Sequence, residues 1–277
     1  MATNNSHPEF SQNSPPWLHC LESCESTNTW AIAHLGTLAH GDVVFTARQT
    51  QGRGQRGRVW YAPPGVLTLS VVLDRLAAAQ LAGFSLLAGL AMIYAVEEVM
   101  PSLQNQLKLK WTNDILLNGR KLAGILCEGV TIANHTQLVV GIGLNRQADF
   151  SNIDQIDDSI LKPISLHEVA SVPDEFIFLD RIRYYLLQAT GLLQSSQHSQ
   201  KHSILQSLLP TLRDRDALLG HSITLELPQE RVTGEAAGLD DRGCLLLRLP
   251  DQTIRSFLSA HVIWQPTNQT PKPDKPS

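Results

Sequence analysis

From Leu76 to Val96 the chain carries no charged side chain, and a run of that length meets the minimum for a helix that crosses a bilayer. Any fold must take this segment out of water. Seven alanines, two glycines and Gln80 leave it only modestly hydrophobic for its length. A membrane span would also put Arg58 and Lys121 on opposite sides of a bilayer, although the residues around them read as one site. Both constraints are met by a helix that runs to about Met100, is stopped by Pro101, and lies buried against a sheet. With 277 residues and 43% hydrophobic content, the chain has material for one core of ordinary size and a small second one.

The flanking sequence supplies the sheet. Residues 42–47, DVVFTA, and 66–73, VLTLSVVL, read as strands, and LKLKW at 107–111 alternates like a strand with one wet face. ILL, Asn118-Gly119 and KLAGILCEGV read as a β-hairpin, because Asn-Gly readily takes the positive φ angles of a tight turn. QLVVGIGLN at 137–145 is a further buried strand. Ser26, Thr27 and Asn28 offer N-cap side chains for a helix to about Gly36. After a polar, acidic loop at 146–163, helical periodicity runs through about Leu209. From Leu219 onward, HSITLEL, GEAAGL, CLLLRL and TIRSFLS are short strand-like runs between turns, the mark of a small β-barrel or sandwich. The expected class is α/β in the α+β sense, a mixed or antiparallel sheet with flanking helices. The expected division is 16–214 for this domain and 215–265 for the β module. Residues 1–15 lack the charge and apolar stretch of a secretory signal and read as a disordered leader. Residues 266–277 read as a disordered tail.

A net charge of −4 and a pI near 6.2 argue against a chain built to coat nucleic acid. Cys20, Cys24, Cys127 and Cys244 are scattered, with no spacing suited to a disulfide scaffold or to zinc, which fits a reducing cytosol. Locally the charge inverts. RQTQGRGQRGR, from Arg48 to Arg58, holds four arginines and no acid.

That loop is the strongest chemical signal. Glycines let backbone N–H groups come close to a ligand, and arginine forks match phosphate or carboxylate oxygens. Alone it reads equally as a solvated basic loop or an RNA contact. In KWTNDILLNGRKLAGILCEG, Lys110, Asn113, Asp114 and Lys121 cluster around a strand and hairpin. A lysine placed there can neutralise charge that builds up in a transition state, or it can be an ordinary surface lysine. GIGLN at 141–145 puts glycines inside a strand, where they cost stability unless a close neighbour uses the space. It ends on Asn145, whose amide suits a base edge.

Taken in order, ESCESTN, QTQGRGQRGRVW, KWTNDILLNGRKLAGILCE and GIGLN resemble the biotin protein ligase family, over residues 17 to about 265. The resemblance implies a biotin/lipoate ligase catalytic domain with a small SH3-like C-terminal β-barrel. It implies that the Ser26-Thr27-Asn28 turn and Gln49 bind the biotin head, since a buried ureido ring needs donors and acceptors. Gly52, Arg53, Gly54, Gln55 and Arg58 then line the ligand, Trp60 walls the apolar side or anchors the core, and Gly124 lies beside the biotin. Lys121 meets the biotin carboxylate and the α-phosphate, Asn113 and Asn145 contact the nucleotide, and Asp114 suits the acceptor lysine or a magnesium ion. Lys121, Asp114 and Arg53 form the implied catalytic set. No metal site fixed by side chains is expected beyond Mg2+ carried with ATP.

The implied chemistry makes biotinyl-5′-AMP from biotin and ATP. Biotin then passes to a lysine of the biotin carboxyl carrier protein of acetyl-CoA carboxylase. Two positions depart from the family pattern: Gln55 stands where arginine is common, and Thr112 where proline is common. Near Pro163 an aromatic residue used by some relatives is replaced, so adenine stacking is expected to differ. Too few residues precede the first motif for a winged-helix domain, so no DNA binding is expected. The further expectations are a cytoplasmic enzyme, off the membrane, as a monomer or weak dimer. The alternatives are a lipoate ligase of the same fold and an RNA-binding module using the arginine loop.

Overall fold

A computed structural model of the chain describes residues 14–76, 81, 83–132, 135–151, 161–196 and 204–264. Most of the expected leader, the expected tail and the middle of the acidic loop lie outside the described residues. Seven strands form one sheet: β1 (Leu18–Leu21), β2 (Val43–Thr46), β3 (Val66–Leu76), β4 (Lys108–Lys110), β5 (Asp114–Leu117), β6 (Arg120–Ile132) and β7 (His135–Asn145). Their order is β1-β2-β3-β7-β6-β5-β4. β1 and β2 run parallel and every other pair is antiparallel. Between β5 and β6, Asn118 and Gly119 have φ of 52° and 70°, the left-handed pair that a two-residue hairpin turn needs.

Because successive strand residues point to opposite faces, the sheet sorts its side chains by parity. Leu67, Leu69, Val71 and Leu73 of β3 join Leu138, Val140, Ile142 and Leu144 of β7 in the large core. There they pack with α2 (Phe84–Val99) and α3 (Glu175–Ser196). On the other face Val44, Val72 and Val139 pack with Ala31, Leu35 and Leu38 of and after α1 (Thr27–Ala33). The same parity gives that second face Ser70, Gly124, Gly141 and Gly143. The larger core holds the sheet while the thinner side leaves room for a cleft.

After α4 (Ile204–Arg215) come β8 (Ser222–Glu226), β9 (Arg231–Leu239), β10 (Leu245–Arg248), β11 (Ile254–Phe257) and β12 (His261–Ile263). They make a five-stranded antiparallel sheet in the order β11-β10-β9-β8-β12. The last strand, β12, lies beyond the four runs named from the sequence and completes the five-stranded module.

Three expectations need correction. The uncharged segment is not helical from its start: Leu76 still pairs with Thr136 in the sheet, and the helix begins at Phe84 after Gly83 at φ 75°. Among the described residues no helix is long and apolar enough to cross a membrane. Helical periodicity after residue 163 does not give one helix; a short 3₁₀ turn at Leu166–Glu168, closed by a Ser165/Glu168 capping box, precedes α3. Finally, the wet face expected for the 107–111 strand holds for exposed Lys108 and fails for Lys110, which is buried.

One ion pair ties the end of α4 to the first core. The Arg215 guanidinium donates to both Glu97 oxygens, Nη1 to Oε1 at 2.7 Å and Nη2 to Oε2 at 2.9 Å, and also to Asn105 Oδ1 at 3.0 Å. Both side chains are nearly out of solvent. Removing one partner strands a buried charge, which costs about 3–5 kcal/mol, whereas an apolar replacement of the pair can be neutral. Arg215→Ala should thus lower unfolding stability by about that amount, and Glu97→Leu with Arg215→Met should recover much of it. Urea unfolding of the full-length variants reads both values; an Arg215→Ala loss below about 1 kcal/mol would mean the pair behaves as a surface contact. A cut after residue 214 removes this arginine, so a truncated chain would lose the same pair.

Candidate active site

The arginine loop is a small hairpin laid across the second face of the sheet. Its stem is fixed where Thr50 N donates to Cys24 O at 2.9 Å and Gln51 N to Glu25 O at 2.8 Å. Trp60 N then donates to Gly52 O at 2.8 Å and Gly54 N to Arg58 O at 2.7 Å. At the tip Arg56 and Gly57 take φ of 58° and 74°, so a glycine in the second position relieves the turn of one strained side chain.

Trp60 closes the hairpin onto the sheet. Gly124 and Gly143 are direct partners in the β6–β7 register, and the indole lies over both. A Cβ at Gly143 would come within 2.2 Å of Trp60 Cε2, and one at Gly124 within 2.9 Å of Cζ3. The glycines of GIGLN are therefore used by the protein's own side chains. The third, Gly141, is filled the same way: its Cβ would fall 2.3 Å from Asn28 Oδ1.

The start of α1 forms one end of the cleft. Ser26 caps the helix, and Gln49 Oε1 accepts from Thr27 N at 2.9 Å. The oxygen of Gln49 is thereby engaged, and its Nε2 lies beside Gly52, where a Cβ would fall 2.7 Å from it. Asn28 is fully committed: its Nδ2 donates to Leu126 O at 3.1 Å and to Glu128 Oε2 at 2.8 Å, and its Oδ1 accepts from Ser70 Oγ at 2.5 Å.

At the opposite end one carboxylate sits among cations. Asp114 Oδ1 lies 2.6 Å from Lys121 Nζ, and Oδ2 lies 3.8 Å from Lys110 Nζ. Burial alone would raise the Asp114 carboxyl, but Lys121, Lys110 and Arg58 outweigh it and hold the group below its ordinary range. Burial lowers the Lys110 ammonium, with Lys121 and Arg58 adding to the effect against Asp114. Lys121 Nζ also stands 5.3 Å from the centre of the Trp60 ring. Arg58 lines the cleft and makes no ion pair among the described residues, leaving its fork available to an anion.

Three further contacts spread the loop over three parts of the chain. Arg53 Nη2 donates to Glu128 Oε2 at 2.6 Å, Gln55 Nε2 to Thr112 Oγ1 at 3.3 Å, and Arg56 Nη2 to Ser259 Oγ at 2.8 Å. Gln55 and Thr112, the two positions expected to depart from the family pattern, thus touch each other. The Ser259 contact continues into Ala260, His261 and Val262, which line the cleft from the C-terminal sheet. Burial, followed by Arg58 and Lys110, lowers the His261 imidazole and favours its neutral form. Sequence reasoning named none of Glu128, Ser70, Ser259 or His261, because each becomes chemical only through neighbours far away in the chain.

The cleft has an empty volume of about 1130 Å³, counting its open mouth. Of the expected site residues it brings together Ser26, Thr27, Asn28, Gln49, Arg53, Gly54, Gln55, Arg58, Trp60, Asn113, Asp114, Lys121 and Gly124. Gly52 and Asn145 are not in its lining. Gly52 is packed under the Trp60 backbone, and buried Asn145 donates from Nδ2 to Lys121 O at 3.0 Å, fixing the lysine's backbone. Asn113 Nδ2 likewise donates to Ile125 O at 2.8 Å. Among the described residues no three His, Cys, Asp or Glu side chains group closely enough to hold a metal, and both Asp114 oxygens face lysines.

Residues 20–145 match the Biotin/lipoate A/B protein ligase family, and residues 218–263 match the Biotin protein ligase C terminal domain. The biotin–[acetyl-CoA-carboxylase] ligase of Paracoccus denitrificans is 33% identical over 236 residues, covering 83% of this chain and 93% of that protein. The bifunctional ligase/repressor BirA of Escherichia coli is 30% identical over 250 residues, covering 87% of this chain and 72% of that protein. Among solved structures, the biotin protein ligase from Aquifex aeolicus in complex with biotin and ATP shares the fold. Its TM-score is 0.70 at 24% identity, over 88% of this chain and 97% of that one.

If the indole on its glycine floor anchors the loop, Gly143→Ala should free the loop without unfolding the sheet. A strand alanine in place of glycine contributes roughly 0.5–1 kcal/mol, offsetting part of the cost of moving the indole. Trypsin should cut after Arg53, Arg56 or Arg58 several-fold faster in the variant, with the unfolding midpoint little changed. Cleavage at the rate of the unaltered protein would show that other contacts hold the loop.

Proposed function

The chain belongs to the biotin/lipoate A/B protein ligase family, and on that basis we propose that it is an ATP-dependent biotin protein ligase. It forms biotinyl-5′-AMP and passes the biotin to the acceptor lysine of the biotin carboxyl carrier protein of acetyl-CoA carboxylase. The observation that carries this reading is the convergence of distant sequence motifs on one cleft. That cleft has hydrogen-bonding groups at one end, a tryptophan wall, and Lys121, Lys110 and Arg58 around Asp114 at the other.

Each end suits one part of the reaction. Thr27 and Gln49 offer polar partners for a ureido ring, which would otherwise lose its hydrogen bonds on burial, and Trp60 offers apolar surface for the rest of the biotin. Asn28, being saturated, supports this end from beneath. At the other end, a biotin carboxylate oxygen attacks the α-phosphorus of ATP and the bond to pyrophosphate breaks. Negative charge gathers on the oxygens around that phosphorus, beside Lys121 and Arg58, and preorganised cations stabilise it without having to move. Asp114 holds Lys121 in place, and Asn145 fixes the lysine's backbone. The hairpin limits the access of water to the mixed anhydride. The carrier's lysine amine then attacks the acyl carbon, an amide forms, the bond to AMP breaks and the amine's proton is lost. Asn113, next to Asp114, lies on the nucleotide side.

We place the boundary between the catalytic domain and the C-terminal β domain near residues 214–215, with Arg215 linking the two. The four cysteines are free, which supports a reducing cytoplasm as the site of action.

The direct test is ATP–pyrophosphate exchange by the full-length protein with biotin, with lipoate and with neither. Exchange is expected with biotin and ATP only, followed by labelling of a biotin carboxyl carrier domain; exchange with lipoate alone would replace this reading by that of a lipoate ligase. Lys121→Ala should slow biotin-dependent exchange by roughly a hundredfold or more, as loss of a preorganised transition-state donor does. A near-normal rate would take Lys121 out of the reacting end.

A further inference from the structure

Glu128 lies outside the cleft lining, yet its Oε2 is where the two ends of the site meet. That one oxygen accepts from Arg53 Nη2 of the loop at 2.6 Å and from Asn28 Nδ2 of the α1 turn at 2.8 Å. Asn28 cannot swing away. Its second Nδ2 hydrogen goes to Leu126 O and its Oδ1 is held by Ser70 Oγ, while the space beside it is open only because residue 141 is glycine. Ser70 Oγ, fully buried, also stands 2.8 Å from Thr27 Oγ1, and Thr27 N donates to Gln49 Oε1. A continuous chain of side-chain contacts thus runs from Gln49 through Thr27, Ser70, Asn28 and Glu128 to Arg53.

The parity of β6 explains why this position is suited to the task. Ile125 faces the large core, and Leu126 and Glu128 face the α1 side with Gly124. A carboxylate at 128 therefore emerges beside the turn that precedes α1 and beneath the stem of the arginine hairpin. Arg53 uses one amino group on Glu128 and keeps the rest of its fork for the cleft. Without that anchor its long side chain would sample several rotamers.

Resting on the ligase reading above, we infer that Glu128 is a positioning residue. It fixes Arg53 relative to the Ser26–Asn28 turn and so couples the grip on biotin to the placement of the loop over the acyl-adenylate. It touches no reacting atom. Its effect belongs to ligand retention and biotin affinity, and little to the chemical step. The pair is partly exposed, with side-chain accessibilities of 44% and 26% for Arg53 and Glu128, so the coupling is expected to weaken as salt rises.

The experiment uses the full-length protein and its Glu128→Gln, Arg53→Ala and double variants. Glu128→Gln keeps an oxygen for Asn28 and removes the charge from Arg53, so it tests the coupling without opening the floor. The readouts are thermal midpoint, KM for biotin and kcat in pyrophosphate exchange, and the dissociation rate of preformed biotinyl-AMP at low and high salt. Glu128→Gln is expected to release biotinyl-AMP and raise KM by about three- to tenfold at low salt, the scale of one charge-assisted hydrogen bond at a partly exposed site. Expected with this are kcat within twofold, a shallower salt dependence, and a double variant no worse than Arg53→Ala. Release at the rate of the unaltered protein, or additive effects in the double variant, would overturn the assignment while the enzyme's function stands. A fall in midpoint with KM and kcat impaired alike would overturn it too, as a merely structural role. Absence of biotin-dependent exchange in the unaltered protein would instead overturn the ligase reading and this inference with it.

Discussion

The site depends on three missing side chains. Gly124, Gly141 and Gly143 lie on adjacent strands and face the same way, and at two of them a Cβ would come within 2.3 Å of a neighbouring atom. In a strand interior each costs stability relative to alanine, by roughly 0.5–1 kcal/mol. What the fold gains is a flat seat for the Trp60 indole and a socket for the Asn28 amide. Without the seat, the hairpin that carries Arg53 and Arg58 would have nothing rigid to rest on; without the socket, the α1 turn would stand away from the sheet. The polar and cationic ends of the cleft are thus both referenced to one pair of strands.

Charge in the cleft is arranged around the same reference. Lys110 and Asp114 are direct partners in the β4–β5 register, and Lys121 follows the tight turn that returns the chain along β6. The geometry of two successive hairpins, β4–β5 and β5–β6, therefore gathers two ammonium groups onto one carboxylate. Burying such charges without partners would be expensive, and the carboxylate makes their burial tolerable. The cluster still carries an excess of positive charge once Arg58 is counted. It is a poor resting place for a cation and a good one for a phosphate, and Lys110 and His261, lowered first by burial, are lowered further by the neighbouring cations.

Much of the fold was legible because its signals are local. The Asn118-Gly119 turn, the N-cap at Ser26 and the β-branched and leucine-rich run 66–73 each specify an element through neighbouring residues, and each element is present. The elements that were misjudged are those whose limits are set from afar. β3 runs on to Leu76 because Thr136 waits across the sheet, and Lys110 is buried because Asp114, four residues on, turns back toward it. The site divides in the same way. Residues grouped in motifs could be named from sequence, whereas Ser70, Glu128, Ser259 and His261 lie in ordinary surroundings until the sheet and the C-terminal strands bring them to the hairpin. For the GIGLN glycines, the sequence pointed to a close neighbour and left open which it was; the neighbours are Trp60 and Asn28.

The contact between Gln55 and Thr112 gives the two expected departures from the family pattern a common physical meaning. Taken singly, glutamine for arginine removes a charge from the loop and threonine for proline adds a hydroxyl to the turn before β5. Taken together they form one neutral hydrogen bond across the mouth of the cleft, 3.3 Å long. A proline at 112 could not receive the Gln55 amide through its side chain, and an arginine at 55 would bring a further positive charge toward Lys110, Lys121 and Arg58. A neutral link avoids that repulsion and is indifferent to salt, unlike the Arg53–Glu128 contact on the other side of the loop. The hairpin is held on one flank by a charged contact and on the other by a neutral one, with Arg56 reaching Ser259 at its tip. Its placement therefore depends on the seven-stranded sheet and the C-terminal five-stranded sheet together, and residues of both line the cleft.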